Sequence, residues 1–216
     1  DIYHPEVKTF EVLDADSSHL ALFYADYFPR ATKRAGAWMS NFVEPFNVDG
    51  ENKRPMIVNV CNFTRPSGDT PSLLNIDETR TLFHEFGHAL HGMLTQTRYP
   101  SVAGTSVARD FVELPSQIME HWAIEPEVMK LYAHHYQTGE AIPDDLIQKI
   151  AAAQTYGQGF MTTELLAASL LDMDYYSIKE KQHIDPLVFE DEHMAKIGLI
   201  PEIISRYRSP YFQHIF

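Results

Sequence analysis

A single cysteine, Cys61, stands in 216 residues, so no internal disulfide can form and the chain suits a reducing compartment, taken here as the cytoplasm. No apolar run approaches the ~18 residues of a membrane span. Positive charge is scarce: 17 Lys and Arg face 30 Asp and Glu, a formal net charge of −13. That balance excludes nucleic acid as a partner, because its phosphates need basic surface, and it excludes an anionic membrane for the same reason. Repeats and low-complexity stretches are also missing. The remaining composition, 44% hydrophobic and 22% charged, is that of an ordinary folded chain and predicts one domain over 1–216.

Against this background one segment stands out, Thr81–His91, which reads TLFHEFGHALH. His84 and His88 are four apart, with Glu85 directly after the first. On a helix, positions i and i+4 share a face, so both imidazoles can address one metal ion while Glu85 sits beside a water that the metal activates. Chance alone yields such a motif in roughly one chain in twenty-five of this composition, so its context must carry weight. Leu82, Phe83, Phe86, Ala89, Leu90, Met93 and Leu94 recur at helical spacing, Asp77 and Glu78 suit a first turn, and no proline intervenes. A helix over Asp77–Gln96 is predicted. His91 lies about 60 degrees from His88 by helix periodicity and reads as a packing residue.

Catalytic zinc usually takes three protein ligands and keeps one position open. Candidates for the third lie in Arg109–Trp122, where Glu113, Gln117 and Glu120 form a polar stripe opposite Phe111, Leu114, Ile118 and Trp122. Pro115 allows either a kinked helix or one that starts there. Asp110 and Glu120, the latter the stronger choice, could hydrogen-bond the imidazoles and fix their tautomers.

Upstream, Val7–Leu13 and His19–Phe28 flank the polar link 14–18 as a hairpin, and Ala37–Glu44 and Pro55–Phe63 extend the sheet. Phe46–Arg54 reads as loop. Cys61 lies in the apolar run Met56–Phe63 and reads as a buried strand residue. From Asp77 onward helices are predicted at Asp77–Gln96, Arg109–Ala123, Pro126–Gln137, Pro143–Gln154, Gly159–Lys181 and Pro186–Ile197, with proline at or near several starts. The fold class is α+β: a small antiparallel sheet in 1–63, followed by a mostly helical HExxH core in 77–216.

Phe83–His91 (FHEFGHALH) and Asp110–Trp122 (DFVELPSQIMEHW), with the lead-in Tyr99–Arg109 (YPSVAGTSVAR) and the opening Tyr3–Val7, resemble the thimet oligopeptidase, oligopeptidase A and peptidyl-dipeptidase (dipeptidyl carboxypeptidase) family of zinc metallopeptidases. The resemblance covers nearly the whole chain and is strongest to the peptidyl-dipeptidase branch. It implies one Zn²⁺ held by His84, His88 and Glu113, with Glu85 as general base and short peptides as substrates. It also implies that Gly104 offers close backbone approach to substrate and that His214 lines the substrate cleft as a hydrogen-bond donor. The family's glycine- and tyrosine-rich segment after that histidine, and its large N-terminal helical region, have no counterpart here. A catalytic core excised from a longer enzyme is therefore expected, with a zinc-binding core without turnover as the alternative.

Overall fold

The protein is described by a computed structural model covering residues 2–210. These residues fall into two compact units, Asp1–Asp144 and Asp145–Phe216. In the first, β1 (Lys8–Leu13), β2 (His19–Asp26), β3 (Trp38–Val43) and β6 (Met56–Val60) form a sheet in the order β1-β2-β6-β3. β1 and β2 pair as the expected hairpin, with Ser17 taking a left-handed φ of 68° in the link. The sheet is mixed, not wholly antiparallel: β6 slots between β2 and β3 and runs parallel to β2. The connection 27–37 carries the chain past β2's neighbour position, and β6 returns into the gap. The α+β class holds.

A short ribbon, β4 (Phe46–Val48) with β5 (Glu51–Lys53), replaces the loop expected there. Asp49 and Gly50 both have positive φ (51° and 84°), which suits a tight two-residue hairpin turn. The polar flanks Asn47, Glu51, Asn52 and Lys53 hid its strands, because no buried face imposes alternation on them.

Helix α1 (Ile76–Met93) starts at a capping box in which Asn75 accepts from the Glu78 N–H and the Glu78 carboxylate accepts from the Asn75 N–H. Its apolar side packs on one sheet face, where Ala21, Phe23, Ala25 and Ile57 enclose Ala89 and Met93. Phe23 meets Phe86 edge to face at 5.7 Å. The alternate residues Tyr24, Val58 and Val60 build the other face with Val7. Cys61 follows β6 directly and is fully buried, which pushes its thiol up to about 12 and makes it chemically inert.

Helix α2 (Arg109–Val112) stops at Glu113, and α3 (Leu114–Ile124) starts anew with Pro115 in its first turn, so Arg109–Ala123 is two helices. α3 lies along α1, and α4 (Pro126–Tyr132) follows. The second unit holds α5 (Asp144–Ala153, beginning at the boundary), α6 (Gln158–Tyr176) and α7 (Pro186–Lys196). There Ala167 and Leu171 of α6 pack on Met194 of α7, and Glu190, 2% exposed, accepts from Arg208 Nε and the Ser209 N–H.

A buried charge cluster pins the end of β2. The Asp26 carboxylate, with 3% of its side chain exposed, accepts two hydrogen bonds from Arg30 (2.6 and 2.7 Å), one from Lys33 Nζ (3.0 Å) and one from Tyr3 (2.8 Å). Burial pushes this carboxyl upward, but the bonds from Arg30, Lys33 and Tyr3 outweigh it and hold it well below the usual range. Folded Asp26 therefore binds its proton more weakly than unfolded Asp26. Its stabilisation is complete above the unfolded value of about 4 and is lost as pH falls below that. Urea unfolding is expected to show falling stability on acidification through this range, and Asp26→Asn should flatten the slope. An unchanged slope in the variant would refute the assignment.

Candidate metal centre

The centre forms where α1 and the start of α3 touch. Gly87 makes the contact possible: a Cβ there would lie 2.6 Å from both the Pro115 carbonyl oxygen and the Ser116 Cα. Both obstacles are backbone, so they cannot swing aside. Gly87→Ala is expected to destabilise the fold by about 1–3 kcal/mol in chemical denaturation and to weaken metal binding together with stability. Parental stability in that variant would show that the helices have room to spare.

This approach brings together three of the residues singled out from the sequence. Glu113 Oε2 lies 3.2 Å from His84 Nε2 and 3.2 Å from His88 Nε2. The donor atoms of His84, His88 and Glu113 all fall within 4.8 Å of one another, a group able to hold a metal ion. A tetrahedral site with bonds of roughly 2.0–2.1 Å has edges of about 3.3–3.4 Å, close to these separations. Hydrogen bonding supports the same fit. His84 Nδ1 lies 2.7 Å from Glu120 Oε1, so its proton belongs on that nitrogen and Nε2 presents a lone pair. In that tautomer the Nε2 lone pair faces a carboxylate oxygen 3.2 Å away, a separation that a shared metal ion suits. Burial, the largest influence, pushes the His88 imidazole below its usual value and favours the neutral form a metal needs, with Glu113 opposing.

Glu85 sits beside this group, 6% exposed, and its Oε2 has no hydrogen-bond partner among the described residues. Burial chiefly, then the Glu113 charge, pushes its carboxyl up to about 7 against the pull of His84. A carboxylate of that basicity is suited to accept a proton near neutral pH. Glu85 and His84 line a cavity of about 450 Å³ together with Asp77, Arg80, Thr81 and Glu120.

Among the other expected residues, Glu120 reaches His84 as described, and Arg80 stands 3.9 Å from its second oxygen. Asp110 is exposed on α2 and makes no hydrogen bond to either imidazole among the described residues. Gly104 takes a left-handed φ of 52°, packs its Cα region against Gly92 of α1, and donates its N–H to Thr95 Oγ1 at 2.9 Å. His214 lies outside the described residues. His91 points elsewhere, edge-on to Phe111 at 6.1 Å. Sequence reasoning missed Ser116, whose buried Oγ lies 2.8 Å from Glu113 Oε2. Its position three after Glu113 was the available signal.

A helix bearing His-Glu-x-x-His, met by a carboxylate from a second helix, is the architecture of a metallopeptidase centre. The comparison with known proteins agrees at the level of the family. The chain belongs to Peptidase family M3, whose model matches residues 1–216. It is 46% identical to the dipeptidyl carboxypeptidase of Escherichia coli over 217 residues, covering 100% of this chain and 32% of that protein. It is 43% identical to oligopeptidase A of Salmonella typhimurium over 219 residues, again covering 100% of this chain and 32% of the relative. A thimet-like oligopeptidase of Dictyostelium discoideum is 38% identical over 180 residues. The chain thus spans about a third of the length of these relatives. No helix among the described residues is long and apolar enough to cross a membrane.

Proposed function

We propose that the chain carries the zinc site of a peptidase that hydrolyses short peptides, as a single catalytic domain in the cytoplasm. The observation that carries this reading is the convergence of His84 Nε2, His88 Nε2 and Glu113 Oε2 beside a buried Glu85 oxygen that has no partner among the described residues. His84, His88 and Glu113 would hold one Zn²⁺. Two neutral imidazoles and one carboxylate leave the site a net positive charge, where three carboxylates would not. When bound, zinc supplies Lewis acidity, acidifying a water and polarising the scissile carbonyl.

The remaining chemistry falls to the chain. Glu85 takes a proton from the attacking water and passes it to the leaving amine nitrogen. Glu120 holds His84 in the tautomer that turns Nε2 inward. His214 donates a hydrogen bond to the developing oxyanion or the substrate carbonyl. Gly104 and its loop would offer backbone for the close approach of a peptide. Release of C-terminal dipeptides is the preferred mode, in line with the dipeptidyl carboxypeptidase relative.

Mass spectrometry of the products from an unmodified peptide of about ten residues tests this, with Glu85→Gln protein as the blank. Sequential loss of C-terminal dipeptides is the expected pattern. One internal cut would instead favour oligopeptidase action. Absence of cleavage with zinc bound would favour a zinc-binding core without turnover.

A further inference from the structure

Glu113 has a difficulty that its role as a ligand must overcome. Its side chain is 48% exposed and it stands at a helix break, so nothing in its backbone setting restrains the carboxylate. A long, half-exposed side chain samples several rotamers, and each is lost on binding a metal. We infer that Ser116 is the positioning residue that aims Glu113 at the two imidazoles. This rests on the zinc reading above and adds a residue to it.

Ser116 sits one turn into α3 and is fully buried. Its Oγ is 2.8 Å from Glu113 Oε2 and 2.9 Å from the Glu113 carbonyl oxygen. A hydroxyl has one proton, and the charged carboxylate is the stronger acceptor. The oxygen that receives this bond is the same Oε2 that lies 3.2 Å from both His84 Nε2 and His88 Nε2. The bond thus fixes the one carboxylate atom that faces the imidazoles. Ser116 cannot drift, because its Cα is at the point where Gly87 of α1 touches α3. The contact that sets the spacing of the two helices therefore also sets the height of the hydroxyl beneath the ligand. A larger residue at 116 would part the helices, and alanine would keep the spacing but release Glu113.

The test is Zn²⁺ affinity by chelator competition on Ser116→Ala, beside the parent, His88→Ala, Glu113→Ala and the double variant Ser116→Ala/Glu113→Ala. Alanine fits wherever serine fits, and circular dichroism of the metal-free variant checks that the fold is retained. Removing a group that holds a ligand typically weakens metal affinity about 10–100-fold, and that range is expected for Ser116→Ala. In the Glu113→Ala background the same change should have no further effect, an outcome that a merely structural role for Ser116 would not produce. Affinity within two-fold of the parent, or an equal further loss in the double variant, overturns the inference. Failure of the underlying zinc reading looks different: His88→Ala would then bind zinc as well as the parent, whatever Ser116 does.

Discussion

Glu85→Gln is expected to keep its zinc and lose peptide hydrolysis by about 10²–10⁴-fold, the share a positioned general base contributes. Glutamine matches glutamate in shape, so packing against the buried surroundings is preserved. It also removes a carboxyl that burial pushes up to about 7, so the fold should be no less stable than the parent. Glu85 is not among the converging donor atoms, and metal content should stay at one per chain. Turnover by mass spectrometry and zinc by elemental analysis read the two quantities separately. Loss of both together would make Glu85 structural, and parental turnover would remove it from the chemistry.

The second large effect concerns the third ligand. Glu113→Ala should weaken zinc affinity by more than about 100-fold, since losing even the supports of a ligand costs 10–100-fold. Two carboxylates lie within reach of His84, and they stand on opposite sides of its ring. Glu113 approaches Nε2 at 3.2 Å and shares that oxygen with His88, whereas Glu120 approaches Nδ1 at 2.7 Å and touches no second imidazole among the described residues. Only the Nε2 side offers a point common to all three groups. Glu120→Gln should therefore cost the smaller, 10–100-fold factor. Parental zinc affinity in Glu113→Ala, with collapse in Glu120→Gln, would transfer the ligand role to Glu120.

The parts of this site legible in the sequence are those governed by local periodicity. The apolar spacing of Leu82, Phe86, Ala89 and Met93 predicted the helix, and helix geometry then required His84 and His88 to share a face. The polar stripe on the next segment named Glu113, Gln117 and Glu120 but could not choose between them. The choice depends on how far α1 and α3 approach, which is set by the absence of a Cβ at Gly87, a tertiary fact. Ser116 was passed over for the same reason: its spacing from Glu113 was readable, but its value comes from burial at that contact. In the sheet, strand-like runs bounded by turn residues found β1, β2, β3 and β6, but the parallel pairing of β2 with β6 follows from the path of 27–37, which carries no hydrophobic pattern. The β4–β5 ribbon escaped because its flanks are polar and exposed, although Asp49-Gly50 marked the turn.

The central claim is that one zinc ion is held by two imidazoles and a carboxylate. Zinc K-edge X-ray absorption on the chain loaded with one equivalent of metal tests it most directly. The account predicts only nitrogen and oxygen neighbours at about 2.0–2.1 Å, with imidazole scattering from two rings that falls to one in His88→Ala. A sulfur neighbour at about 2.3 Å, or a spectrum unchanged by His88→Ala, would contradict it.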